Sequence, residues 1–302
     1  MKILICDPAS QNAMEYLKEN GFDIEYKPEI TAGELKSLIE NFQVLLVRSR
    51  TKVTGEIING CRQLKIIGRI GSGYDNIDLE SCFKKKIKVI NAPDANSQSV
   101  AELTVGLMIT LLRKLETAFT SMRKGYWLKD ELWGNELSGK TVGIVGYGYV
   151  GRRVGRILKS FKCNLLIYSR SFKTASLEEL FSKSDIITLH PALTSRTEKM
   201  INNDLLSKMK RRALIINISR GKIIDENALF YHLKNKLIQG AALDVFTYEP
   251  LQKDNRWRTL SNVILTPHIG AATEEALIRA SMTVAEDLVR IIKGHKARYS
   301  VI

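Results

Sequence analysis

Three residues in the second half of this chain could together move a proton and hold an acid: Arg220, Glu249 and His268. A histidine can accept a proton from an alcohol as its hydride departs, and return it in the opposite direction. A carboxylate beside it can orient the ring and favour the imidazolium, while an arginine offers a planar fork for a carboxylate and the neighbouring carbonyl oxygen. Singly, each has an ordinary explanation: an Arg before Gly is often a solvated turn residue, Glu249-Pro250 a loop, and a lone His a satisfied structural residue. What favours the catalytic reading is position, because each follows a short apolar run of strand type.

A second chemical feature is the stretch 140–159, KTVGIVGYGYVGRRVGRILK. A buried-strand run leads into Gly146, Gly148 and Gly151, and Val150, Val154, Ile157, Leu158 and Phe161 follow at helical spacing. A bare GxGxxG is weak, but strand, glycines and helix in this order read as a dinucleotide site. Gly146 permits the turn, Gly148 lets backbone approach a pyrophosphate, and Gly151 lets the helix lie close on the strand. The helix start at Tyr149 and Val150 offers free N–H groups to phosphate.

The elements that must position these residues alternate regularly. Apolar runs at 2–6, 44–47, 65–70 and 88–90 read as strands, separated by amphipathic stretches such as 31–42, where Thr31 and Glu34 form a capping-box pattern. The same alternation returns at 164–168, 185–189, 213–218, 239–243 and 262–265. Strand alternating with helix implies parallel sheets, whose ligands gather beyond the carboxyl ends of the strands. Those ends carry Asp7, Arg48 with Ser49, and Gly71-Ser72-Gly73 in the first half. In the second half they carry Ser169-Arg170-Ser171, His190-Pro191, Ser219-Arg220, Asp244 and Thr266-Pro267-His268.

Pro93 closes the first unit. Residues 97–115 are apolar around nearly the whole helical circumference, as expected at a domain or subunit junction. A more polar, aromatic arm over 117–137 follows, and a long helix over 273–293 returns the chain to its first domain. The expected organisation is therefore a discontinuous domain of 1–93 with 273–302 and a nucleotide-binding domain of 94–272.

Composition narrows the function. The 302 residues contain 46 Lys and Arg against 32 Asp and Glu, a formal +14. That charge is spread along the chain, so nucleic acid is not an expected partner and attraction of anionic metabolites is the better account. The four cysteines are scattered, with no CxxC and no nearby histidine, which suggests neither a zinc site nor a disulfide framework. No apolar run reaches transmembrane length and no signal peptide is evident, so a cytoplasmic protein is expected.

At motif level the chain resembles the D-2-hydroxyacid dehydrogenases. The resemblance rests on GRIGSGYDNID (68–78), SVAELTVGLM (99–108), GKTVGIVGYGYVG (139–151), INISRGKIIDENAL (216–229), GAALDVFTYEP (240–250) and NVILTPHIGAAT (262–273). It implies an α/β protein with a Rossmann-type doubly wound domain and a flavodoxin-like α/β substrate, or lid, domain. Substrate would sit in a cleft that closes over both ligands, with Arg220 on its carboxylate and carbonyl, His268 as the acid/base and Glu249 behind it. Asp244 would lie by the nicotinamide carboxamide, and the N–H groups of Ser72 and Gly73 would hold the substrate carboxylate. The 97–137 helix and arm would form a homodimer interface.

Within that family, VRSRTKVT (47–54) looks most like the branch acting on D-3-phosphoglycerate, where Arg48 would contact the phosphorylated substrate and Arg69 and Lys129 would lie near the phosphate. The C-terminal serine-sensing domain of its long members is not expected here, since the sequence runs to Ile302. The cofactor edge points elsewhere. NAD-using relatives place an acidic residue after the second strand of the nucleotide domain, whereas Ser169-Arg170-Ser171 suits the extra phosphate of NADP. That is similar to the NADPH-using glyoxylate and hydroxypyruvate reductases. The nucleotide-dependent corepressors that resemble this family are a further alternative, marked by a peptide-docking cleft. The cofactor is thus expected to be NAD or NADP, and the substrate a small anionic 2-hydroxy or 2-keto acid.

Overall fold

The computed structural model describes residues 1–302. Its contacts divide the chain into two compact units, Met1–Ser97 with Ala271–Ile302, and Gln98–Gly270; the sequence boundaries were drawn after 93 and 272.

In the first unit the order is β1 (Lys2–Ile5), α1 (Gln11–Glu19), β2 (Asp23–Tyr26), α2 (Ala32–Leu38), β3 (Val44–Val47), α3 (Gly55–Gly60), β4 (Ile66–Arg69), α4 (Leu79–Lys84) and β5 (Lys88–Asn91). All pairings are parallel, in the order β2-β1-β3-β4-β5. This is the flavodoxin-like arrangement, with its switch point between β1 and β3. Strands such as VLLV in β3 are buried on both faces, which is why they read as unbroken apolar runs. Leu4, Leu45, Ile67 and Val89 enter one core layer and Ile3, Val44, Ile66 and Ile90 the other.

The capping box at Thr31 and Glu34 is present at the start of α2, with Thr31 N–H on Glu34 Oε2 at 2.8 Å. Residues 299–302 run antiparallel beside β5, with Val301 N–H on Val89 O at 2.8 Å.

Beyond β5 come α5 (Ser97–Leu112) and α6 (Leu115–Arg123), and then β6 (Thr141–Val145), α7 (Tyr149–Ser160), β7 (Asn164–Tyr168), α8 (Leu177–Lys183), β8 (Ile186–Leu189), α9 (Asn203–Ser207), β9 (Leu214–Asn217), α10 (Glu226–Lys234), β10 (Gly240–Leu243) and β11 (Val263–Leu265). The last helix, α11 (Glu274–Ile292), belongs to the first unit. The first part of the polar, aromatic arm, up to Arg123, is helical. Lys114, at φ +51°, turns the chain between α5 and α6.

The second sheet is also fully parallel, ordered β11-β10-β9-β8-β6-β7. Its switch point lies between β6 and β8. The glycine-rich loop leaves β6 beside that crevice, where the fold opens a site for ligand. No helix is long and apolar enough to cross a membrane.

Candidate active site

The carboxyl end of the six-stranded sheet carries both chemical features. β9 delivers Ser219 and Arg220, β10 delivers Asp244, and β11 delivers Thr266 to His268. His268 Nδ1 lies 2.7 Å from Glu249 Oε2, and Glu249 Oε1 accepts the Phe246 N–H at 2.9 Å. One carboxylate thus holds the ring through Nδ1, which leaves Nε2 to face a ligand. Burial pushes the Glu249 carboxyl up, but the His268 hydrogen bond, the Phe246 N–H and the charges of His268 and Arg220 outweigh it. Glu249 is held below its ordinary value of 4.5 and remains the anionic partner.

Arg220 is brought to this pair by close backbone packing. A Cβ on Gly221 would lie 2.0 Å from the Phe246 carbonyl carbon, so only glycine lets the Arg220 turn press against the segment leading to Glu249. Asn217 anchors the same turn: its Nδ2 donates to Arg220 O at 3.0 Å, and its Oδ1 accepts the Ser219 N–H and hydroxyl. Thr247 N–H is tied to Glu226 Oε1 at 2.7 Å, fixing the segment from the α10 side.

Asp244 has a structural task that its motif does not reveal. Wholly buried, it accepts from Thr266 Oγ1 at 2.6 Å, Ile269 N–H at 2.8 Å and Gly270 N–H at 2.9 Å. These bonds bracket His268, whose backbone is left-handed at φ +54°.

The residues present fit a dinucleotide. Gly146, at φ +89°, sits where a Cβ would meet the backbone of His190 and Pro191 at 2.6 Å, and a Cβ on Gly151 would lie 2.1 Å from Gly146 O. Gly148 caps α7 with no side-chain bond, so the first N–H groups at Tyr149 and Val150 are left for phosphate. His190 Nε2 is 2.9 Å from Thr188 Oγ1, and burial pushes its pKa down to about 3, so the ring is neutral at ordinary pH.

At the far end of this cradle the 169–174 loop is compact. Ser169 Oγ donates to Phe172 O at 2.6 Å and accepts the Phe172 N–H at 3.0 Å, so its hydroxyl hydrogen is used within the loop. Phe172 stacks on Tyr147 of the glycine loop with ring centroids 5.4 Å apart. Arg170 and Ser171 are exposed, and no acidic side chain stands in that loop.

The sequence model described as the D-isomer specific 2-hydroxyacid dehydrogenase NAD binding domain matches residues 105–270. The chain belongs to the D-isomer specific 2-hydroxyacid dehydrogenase family. A D-3-phosphoglycerate dehydrogenase from Methanocaldococcus jannaschii is 43% identical to this dehydrogenase-family chain over 308 residues, which takes in 98% of the chain and 58% of that relative. The chain therefore spans less than two thirds of the curated relative's length.

Among solved structures, the NAD+-bound 3-phosphoglycerate dehydrogenase of Entamoeba histolytica is 32% identical with a TM-score of 0.86, covering 100% of this chain and 98% of that one. An acyclic imino acid reductase in complex with NADPH and D-Arg is 30% identical with a TM-score of 0.90, covering 100% of each chain. In this family context the second unit is a nicotinamide-dinucleotide domain.

On the first unit, Arg48 and the Ser72-Gly73 pair follow β3 and β4, both half-buried. Arg69, by contrast, folds back over Gly71 and donates to Ile70 O at 2.7 Å. Lys129 is exposed. Sequence reasoning gave no role to Asn217 or Asn76, and named Thr266 only as a strand-end neighbour of His268. Asn217 lies inside the INISRG motif, Thr266 directly before Pro267-His268 and Asn76 inside GRIGSGYDNID, so their neighbours gave a signal.

Proposed function

We propose that the chain is an NAD(P)-dependent oxidoreductase that interconverts D-3-phosphoglycerate and its 2-keto product. The observation that carries the reading is the 2.7 Å contact between Glu249 and His268. A bound nicotinamide supplies or accepts the hydride. His268, held through Nδ1, takes the proton of the substrate C2 hydroxyl at Nε2 and returns it in reduction. Arg220 binds the substrate carboxylate and polarises the neighbouring oxygen. Arg48 is assigned to the phosphate, and the N–H groups of Ser72 and Gly73 to the carboxylate.

Gly146, Gly148, Tyr149, Val150 and Gly151 hold the pyrophosphate, and Ser169, Arg170, Ser171, His190, Pro191, Ser219 and Asp244 complete the cofactor's surroundings. Exposed Arg170 in a loop without an acid favours NADP, whose extra phosphate it can pair. The exposed Phe119, Trp127 and Trp133 on α6 and the arm suit burial between two copies, a homodimer that light scattering would detect.

Steady-state rates test the reading, with 3-phosphoglycerate oxidation set beside hydroxypyruvate and glyoxylate reduction and each run with both cofactors. Highest kcat/KM on the phosphorylated pair is the expected result. Turnover confined to unphosphorylated keto acids would assign the chain to the reductases.

A further inference from the structure

The first unit contains a frame of buried polar contacts around Arg48. Asp7, which follows β1, is wholly buried and accepts four hydrogen bonds from the loop after β3. The donors are the Arg48 N–H at 2.5 Å, Arg50 Nε at 2.9 Å, the Thr51 N–H at 3.3 Å and Thr51 Oγ1 at 3.0 Å. On the other side, Asn76 Nδ2 donates to Arg48 O at 2.7 Å and to Thr51 O at 2.6 Å.

The two loops are then zipped together. Val53 N–H donates to Asn76 O at 2.8 Å and Asp78 N–H to Val53 O at 3.0 Å, around a parallel bridge between Val53 and Ile77. The second of these loops also carries Ser72, whose carbonyl accepts Asn91 Nδ2 at 2.7 Å.

The two arginines of the first loop are treated differently. Arg50 is spent on the frame: besides Asp7, its guanidinium donates to Ile30 O, Cys6 O and Pro28 O. The half-buried Arg48 guanidinium makes no hydrogen bond of this kind; only its backbone is gripped. A buried carboxylate with four donors, and an amide spanning two carbonyls, are an elaborate means of fixing a short loop unless the direction of the Arg48 guanidinium matters.

We propose that Asp7 and Asn76 are positioning residues, which clamp the 48–51 backbone from opposite sides so that the Arg48 guanidinium is set in advance to receive the substrate's phosphate. The inference rests on the phosphoglycerate reading above. Its physical content is preorganisation: a loop already held in place loses little freedom when the anion binds, so the clamp acts on substrate affinity and leaves the chemical step alone.

The test uses the purified full chain and compares D-3-phosphoglycerate with D-glycerate, which lacks the phosphate. Asp7→Asn and Asn76→Ala should each raise KM for phosphoglycerate about tenfold, the equivalent of roughly 1.4 kcal/mol. The kcat values, the KM for cofactor and the KM for D-glycerate should change little. Arg48→Ala should raise the same KM further, and adding Asp7→Asn to it should cost almost nothing more, because the clamp acts only through Arg48.

Equal losses on both substrates, or a lower Tm with an unchanged KM, would make the frame purely structural and overturn the proposal. If Asp7→Asn fails to fold, Asn76→Ala and Thr51→Val carry the same comparison. Should Arg48→Ala leave the phosphoglycerate KM untouched in an active enzyme, the phosphate assignment itself fails and the clamp with it. A raised KM in Arg48→Ala but not in the clamp variants removes the positioning role alone.

Discussion

The Asp244 carboxylate holds the backbone N–H of Ile269, the residue next to His268, at 2.8 Å. With Thr266 and Gly270 on the same carboxylate, the loop is fixed on both sides of the histidine, and the left-handed His268 backbone is held against its intrinsic cost. Asp244→Ala takes the acceptor from two N–H groups, of which that of Gly270 is buried and costs about 1–3 kcal/mol when left unpaired. The expected outcome is a Tm several degrees lower and a fall in kcat, read by calorimetry and steady-state kinetics. An unaltered kcat in a folded variant would show that His268 is positioned without it.

If His268 carries the proton as proposed, His268→Ala should lower kcat by about 10²–10⁴-fold. Binding of the reduced cofactor, followed by its fluorescence, should persist, since the glycine-loop contacts are intact. Glu249→Gln should lose less, because the amide can keep the ring oriented without its charge. Full turnover in the alanine variant would take His268 out of the mechanism.

Glu249 also makes a pH prediction. Its carboxyl is held below the ordinary 4.5 in the folded chain, against the upward push of burial, by His268, the Phe246 N–H and Arg220. A depressed carboxylate contributes stability that is fully present above its unfolded value and is lost as the pH falls through its folded value. The Tm difference between wild type and Glu249→Gln should therefore shrink on acidification past 4.5. A difference that grows there would contradict the assigned direction.

The proposed preference for NADP is tested at Arg170. Arg170→Ala should weaken NADPH about tenfold or more while changing NADH little, as loss of one charge-assisted phosphate contact would. Isothermal titration with both reduced cofactors gives the two numbers. Equal losses would mean that the arginine does not meet the phosphate.

Much of this architecture is legible in the sequence because parallel strands are buried on both faces and read as unbroken apolar runs, as VLLV and IITL do. Where burial is partial the signal fades. β2, DIEY, is an edge strand with no fully buried residue, and it escaped notice. α6 was absorbed into the arm because only Ser121 in it is buried and no side chain caps its start.

The candidate site divides in the same way. Arg220, Glu249 and His268 sit in motifs whose residue types declare their chemistry. The side chains that steady them do not. Asp7 and Arg48 are 41 positions apart, and Asp244 and Gly270 are 26. Only the crossovers of a parallel sheet bring such pairs together, and no local pattern records them.

The pairing of residues 299–302 with β5 also bears on how the protein behaves in a crowded solution. A bare β5 would present open N–H and C=O groups to any extended chain it met, a template for strand-on-strand association. Val301 and Ile302 fill that position from within the same molecule. At the opposite border β2 has no such cover, but Asp23 and Glu25 on it pair with Lys2 and Lys27, so a charged rim faces outward. One border is blocked by pairing and the other by charge, so trimming or unfastening residues 299–302 should show first as loss of solubility, before any change in catalysis.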